Sequence, residues 1–297
     1  MNVKSMKRWH IWLLAARPKT LSASIVPVWL GGALSWRQES AQPLWLLPIL
    51  AAAVLIQIGT NLANDYFDFR KGADTASRTG PLRVTQAGLL PPTTVRNGFI
   101  ICFAAALLIG IPLALRGGWS IVAIGVFSII LGILYTAGPF PIAYRGWSEI
   151  FVILFFGIIA VTGTSYLVTG KWRWETLDPG IVSGLLATAL LIVNNLRDLP
   201  NDRAAGKMTL PVRYGARFGK FEYTACIVGA FAAAALHLLS RHPRFASLCL
   251  LAAVPFAVIP IRIVLYHGDA ENLIRALPKT ALLQIVFGLS YGLALLQ

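Results

Sequence analysis

Of the seven aspartates in the chain, five fall in two short stretches: Asp65, Asp68 and Asp74 in one, Asp198 and Asp202 in the other. Asn61, Asn64, Asp65 and Asp68 stand at offsets of three, four and seven, which on a continued helix aligns them along one face. Asn194, Asp198 and Asp202 recur at offsets of four. Carboxylates so placed repel one another, and a divalent cation removes that penalty. No His or Cys is interleaved with them, so the hard oxygen donors suit Mg²⁺ rather than Zn²⁺. Because Mg²⁺ takes one or two carboxylates and completes its shell with water and substrate phosphate, two such clusters facing one cavity describe a diphosphate site. The same stretches carry Arg70, Lys71, Arg78 and Arg83, then Arg197, Arg203, Lys207 and Arg213, cations suited to phosphate, although membrane topology alone accounts for part of that set. Pro200, between Asp198 and Asp202, is expected to kink the second cluster.

The elements that must position these residues belong to a bilayer. The 297 residues are 57% hydrophobic and only 13% charged, too apolar for a soluble globular domain. A crossing helix needs roughly 20 mostly apolar residues. Candidate spans lie near 20–36, 44–62, 97–115, 119–137, 149–169, 180–196, 222–240, 245–265 and 280–297, about nine in all. With the N-terminus inside, all but six of the 26 Lys and Arg fall on the cytoplasmic side, the exceptions being Arg37, Arg116, Lys171, Arg173, Arg241 and Arg244. The long polar connections, about 61–96 and 194–221, are separated by an even number of spans, so both emerge on the cytoplasmic face and can meet over one cavity. Their similar lead-in residues suggest a weak internal repeat. No linker divides the chain, which predicts one membrane domain over 1–297.

The same pattern excludes several functions. A formal charge of +14 suggests nucleic acid, but the cations sit in juxtamembrane loops, so membrane lipid or an anionic substrate is the better partner. Cys102, Cys226 and Cys249 fall inside spans without metal-ligand spacing, and the four His are scattered. The basic N-terminus lacks a small-residue cleavage site and is broken by Arg17-Pro18-Lys19, so the first span is expected to stay as an anchor. A transporter would place carboxylates near mid-span along a path open to both sides, whereas here they cluster at loop ends on one face.

The run NLANDYFDFRKGAD at 61–74 resembles the first aspartate motif of the UbiA prenyltransferase superfamily, and NNLRDLPNDRAAGKMTLPVRYG at 194–215 resembles the second. ARPKTL at 16–21, GPLRVTQAG at 80–88, YTAGPFPIAYRGWSE at 135–149 and FFGIIAVTGTSYL at 155–167 match further, so the likeness covers about the first 215 residues. Within the superfamily it is similar to the enzymes that prenylate 1,4-dihydroxy-2-naphthoate in menaquinone synthesis. The resemblance implies an all-α integral membrane bundle of nine helices around a central cavity, capped by the two polar loops in the cytoplasm. It also implies Mg²⁺-dependent transfer of a prenyl group from polyprenyl diphosphate to an aromatic ring.

Under that resemblance Asn61, Asp65, Asp68, Asp198 and Asp202 take the metal and diphosphate positions, and Arg83 and Lys207 are the cations on the phosphate; Asn64 and Asn194, by their spacing with the carboxylates, are expected to bind substrate beside them. Where many members carry another Asp four residues after Asp68, this chain has Gly72, with Asp74 two further on as a lesser ligand. Ionising an allylic diphosphate demands stabilisation of the leaving group's charge in a place sheltered from water. Tyr135, at the cytoplasmic end of the fourth span, can face the resulting cation through its ring, or serve as an interfacial aromatic. Arg17 or Lys19 can hold the acceptor's carboxylate, or serve topology alone. Prenylation of a 4-hydroxybenzoate or homogentisate type of acceptor is the alternative reading.

Overall fold

A computed structural model describes residues 6–72, 80, 82–241 and 244–297; Asp74 and Arg78 lie outside the described residues. Twelve α-helices account for most of them, and there is no strand among the described residues. In chain order they are α1 (Arg8–Ala16), α2 (Ser22–Ser35), α3 (Leu46–Arg70), α4 (Pro92–Leu134), α5 (Ser148–Ile153), α6 (Ala160–Thr169), α7 (Leu177–Arg197), α8 (Leu199–Ala204), α9 (Leu210–Tyr214), α10 (Ala216–Arg241), α11 (Val254–Tyr266) and α12 (Ala270–Leu295). A π-turn, Leu154–Ile159, joins α5 to α6 into one continuous apolar rod, Ser148–Thr169. Among the described residues seven helical segments are long and apolar enough to cross a membrane, and α2, at 14 residues, is a shorter apolar one.

Helix α4 runs for 43 residues, which at about 1.5 Å of rise per residue is roughly twice the hydrocarbon thickness of a bilayer. It is two arms. Gly118 takes φ 66° and ψ −160°, a left-handed backbone that no helix interior holds. Phe103 of the first arm packs at Gly59 of α3, while Gly132 of the second arm packs at the adjacent Thr60, so the chain doubles back and both arms flank one turn of α3. The sequence pattern, which separates spans at 97–115 and 119–137, reads this turn correctly.

Helix α7 forms the centre: Val182, Ser183, Gly184, Thr188 and Ile192, which point to all sides of the rod, are buried. Around it α12 is tied in by hydrogen bonds rather than by oil alone. Ser22 donates to Gln284 at 2.8 Å, Trp29 Nε1 to the Gly288 carbonyl at 3.0 Å, and the Tyr223 and Thr280 hydroxyls pair at 2.8 Å. Such polar ties and small-residue contacts hold helices together where lipid removes the hydrophobic drive. Outward, large apolar side chains such as Leu44, Leu115 and Trp119 are exposed, as a lipid-facing surface requires.

Two expectations are corrected. The second apolar span does not stop near residue 62; α3 continues to Arg70, so the first carboxylate cluster is helical and within the bundle rather than in a loop. The second carboxylate pair does straddle a break, but not one caused by a proline inside a helix. Helix α7 ends at Arg197, Asp198 (φ −90°, ψ 5°) is the break, and Pro200 sits in the opening turn of α8, where its missing N–H costs nothing. Helix α1, short and burying Ile11 and Ala15, has no counterpart in the hydropathy pattern.

Candidate active site

Along α3 the four residues Asn61, Asn64, Asp65 and Asp68 are all buried on one face, as their spacing requires. That face opens on a cavity of about 490 Å³. Twelve residues given site roles from the sequence line it: Arg17, Lys19, Asn61, Asn64, Asp65, Asp68, Arg83, Tyr135, Asn194, Asp198, Asp202 and Lys207; of the further cations Arg197 lines it and Arg70, Lys71, Arg203 and Arg213 do not.

Asp68, only 1% exposed, is the electrostatic centre. Its Oδ2 accepts from Lys207 Nζ at 2.9 Å and faces Arg83 at 3.5 Å, joining α3 to the segments that follow each aspartate cluster. Its Oδ1 is buried without a hydrogen-bond partner, an acceptor turned to no protein donor. Asp65 is used differently. Its Oδ2 accepts the Val84 N–H at 3.1 Å and its Oδ1 the Thr85 N–H at 3.2 Å, so this carboxylate fixes the backbone that delivers Arg83.

Across the cavity, the end of α7 turns Asp198 onto its own neighbour. Arg197 Nε and NH2 donate to the two Asp198 oxygens at 2.8 and 2.7 Å, a bidentate pair with Arg197 only 4% exposed. Adjacent residues on an unbroken helix point about 100° apart, so this pairing depends on the helix ending between them. The Asp202 N–H returns to the Asp198 carbonyl at 2.8 Å, and the Lys207 N–H to the Asp202 carbonyl at 2.8 Å, which carries Lys207 back over Asp68.

The corner between α1 and α2 closes another side. Arg17 is the only non-glycine residue with positive φ (54°) among the described residues, a costly conformation for a long side chain. The Asn61 amide nitrogen donates to the Ala16 carbonyl at 2.9 Å and the Thr20 hydroxyl at 3.1 Å, and Thr20 donates to the Arg17 carbonyl at 2.9 Å. This chain locks the corner to α3 and brings Arg17 and Lys19 to the cavity. Asn64 accepts from Thr136 at 3.0 Å, anchoring the residue beside Tyr135. Asn194 donates to the Leu190 carbonyl of its own helix at 3.1 Å. Lys71 donates to the Thr136 carbonyl at 2.6 Å; burial lowers its pKa, an effect that Asp68 opposes and Lys207 reinforces.

Sequence reasoning passed over several contributors. Arg197 is counted in the sequence only as one of several cations suited to phosphate, with no partner of its own, and only the Arg-Asp-x-Pro order hints at a helix end. Tyr144 lies under two ammonium groups, with its ring centroid 4.9 Å from Lys71 Nζ and 5.2 Å from Lys207 Nζ. Asn195, whose side chain donates to buried Glu149 at 3.2 Å, and Gln57, Thr20 and Thr60 also line the cavity. Among the described residues no three His, Cys, Asp or Glu side chains gather into a ready-made metal cage. A cation here would draw on one or two carboxylates and on its ligand's oxygens, the habit of Mg²⁺.

Against this polar cavity lies an apolar chamber of about 400 Å³ between α2, α3, both arms of α4 and the α5–α6 rod. A carboxylate-and-cation compartment joined to an apolar one, inside a helical bundle, is an arrangement suited to an amphiphile with an anionic head. The family model described as the UbiA prenyltransferase family matches residues 24–277, and the chain belongs to that family.

Its relatives include the 1,4-dihydroxy-2-naphthoate octaprenyltransferase of Escherichia coli (strain K12), 37% identical over 94% of this chain and 93% of that one. The protein of the same name from Mycobacterium tuberculosis is 35% identical, with 96% of each chain covered. The fold is shared with a UbiA homolog from Archaeoglobus fulgidus solved bound to GPP and Mg²⁺, at a TM-score of 0.68 and 16% identity over 96% of this chain and 99% of the other.

Proposed function

We propose that the protein transfers a polyprenyl group from polyprenyl diphosphate to 1,4-dihydroxy-2-naphthoate, releasing diphosphate and CO₂ and giving demethylmenaquinol. The observation that carries this reading is the junction of the two compartments: a polar cavity furnished with paired carboxylates and fixed cations, continuous with an apolar chamber. An amphiphile with a diphosphate head and a hydrocarbon tail matches both at once. The choice of acceptor follows the relatives named above.

The residues present fit Mg²⁺. Asp68 Oδ1 is an unsatisfied buried carboxylate oxygen, and the Asn61 amide nitrogen is committed to the α1–α2 corner, which leaves its oxygen as the atom a cation would meet. Asp65, Asp198 and Asp202 complete the proposed donor set. Bound there, Mg²⁺ supplies counter-charge to the diphosphate as it leaves. Lys207, Arg83 and Arg197 add fixed positive charge around the same oxygens, in a buried setting where it acts strongly. Tyr135 presents its ring at the boundary between head and tail, where an allylic cation develops. Arg17 and Lys19 hold the acceptor's carboxylate by charge-assisted bonds, orienting the electron-rich ring toward that carbon. The two ring hydroxyls push electrons into the attack, and loss of CO₂ from the attacked carbon restores aromaticity.

In this reading the protein is integral to the cytoplasmic membrane, crossing nine times when the two arms of α4 are counted separately and the shorter α2 is counted as a span, and the N-terminus and both aspartate clusters lie on the cytoplasmic side. The test is an acceptor panel. Membranes containing the protein, given Mg²⁺ and a polyprenyl diphosphate, are expected to prenylate 1,4-dihydroxy-2-naphthoate in preference to 4-hydroxybenzoate and homogentisate. Prenylation of 4-hydroxybenzoate with none of the naphthoate would overturn the acceptor and leave the diphosphate site standing.

A further inference from the structure

The polar cavity and the apolar chamber share four lining residues, Thr60, Tyr135, Val152 and Phe156, and these form the neck between them. On the α5–α6 rod, Phe151, Val152, Phe155, Phe156, Ile159 and Ala160 all face the chamber, in pairs repeating every four residues. An α-helix drifts by about 40° per four residues, so a stripe of this length would rotate away from the lumen. The π-turn at Leu154–Ile159 removes the drift by widening the rod, and it falls at the neck. It is also clamped from behind. The Ser183 hydroxyl, fully buried, donates to the Phe156 carbonyl at 3.0 Å. Gly157 meets α7 so closely that a Cβ there would lie 2.7 Å from the Gly184 Cα. A local departure from α-geometry, held by a dedicated hydrogen bond and a glycine contact, serves to present one large aromatic side chain at the boundary of two compartments.

We propose that Phe156 is a specificity-determining residue of the neck, the side chain that shields the reacting allylic carbon from water in the polar cavity and so decides prenyl transfer over hydrolysis. This rests on the prenyl-transfer reading. The competing reaction balances simply: the bond from carbon to the diphosphate oxygen breaks, a water oxygen bonds to that carbon, its proton passes to solvent, and diphosphate leaves with a polyprenol as the other product. The neck must pass a flat, thin hydrocarbon chain yet exclude water beside it, which an aromatic ring packed edgewise against the chain does and a methyl group does not.

The experiment measures the ratio of polyprenol to prenylated acceptor made by the purified protein with Mg²⁺, polyprenyl diphosphate and 1,4-dihydroxy-2-naphthoate. Phe156→Ala is expected to raise that ratio about tenfold or more while diphosphate release continues, and Phe156→Leu to hold it within about twofold of wild type. Ser183→Ala, which touches neither compartment, is expected to shift the ratio in the same direction by a smaller factor. A wild-type ratio in Phe156→Ala overturns the proposal. Should that variant fold poorly, Phe156→Trp reads the same neck from the other side. It is expected to raise KM for polyprenyl diphosphate while protection against thermal unfolding by Mg²⁺ and inorganic diphosphate is kept, and an unchanged KM also overturns the proposal. Absence of any diphosphate release by the wild-type protein is a different result, one that refutes the prenyl-transfer reading itself.

Discussion

The Asp68–Lys207 pair offers a test in which stability and activity should part company. The two side chains meet at 2.9 Å and are 2% and 11% exposed, with Arg83 3.5 Å away. Removing one partner of a buried pair leaves an uncompensated charge and costs about 3–5 kcal/mol, and in the transition state the same loss is worth roughly 10²- to 10⁴-fold in rate. Asp68→Asn and Lys207→Gln should therefore each lower the thermal midpoint in detergent and reduce kcat/KM by at least about 100-fold. In the double variant neither charge is orphaned, so much of the stability should return. Activity should not return, because in the proposed reaction both groups act on the diphosphate, one through the metal and one directly. Turnover of the double variant would then match the worse single variant. Recovery of activity in step with the thermal midpoint would refute this reasoning and reduce the pair to a structural tie.

Asp65→Asn should abolish turnover to below about a tenth of wild type, and, because its two oxygens hold the Val84 and Thr85 amides, it should speed hydrogen exchange at those two positions; unchanged exchange would contradict the clamp role. Gly157→Ala should destabilise the bundle by about 1–3 kcal/mol through overpacking against Gly180 and Gly184, read as a fall in thermal midpoint; a wild-type midpoint would mean that the contact is slack. Reporter fusions after residues 72 and 205 should report the cytoplasm and one after 297 the opposite side. Opposite sides for the first two would break the shared site.

The site was more legible in the sequence than the helices that carry it. Carboxylates and amides at offsets of three, four and seven can serve one another only on a common helical face, and Asn61, Asn64, Asp65 and Asp68 occupy that face. Their element was misplaced because hydropathy ends where charge begins. Here a polar helical end at Asp65–Arg70 is sheltered by Lys207 and Arg83, cations distant in the chain, so α3 runs on past its apolar stretch. For α4 the reverse held: the polar-poor break at Gly117-Gly118 was enough to separate two arms. What hydropathy could not carry were contacts that depend on backbone detail, such as the left-handed Arg17, the helix end that turns Arg197 onto Asp198, and the π-turn under Phe156. Each is a local departure from regular geometry at the cavity, and no periodicity announces it.

The measurement that bears most directly on the proposed reaction follows the carboxyl carbon. Purified protein is supplied with Mg²⁺, a polyprenyl diphosphate and 1,4-dihydroxy-2-naphthoate labelled in its carboxyl group. Labelled CO₂, diphosphate and prenylated naphthoquinol should appear in equal amounts, and all three should cease when a chelator removes the cation and resume when Mg²⁺ is restored. Diphosphate released without labelled CO₂, or product formed at full rate in the presence of chelator, would contradict the account.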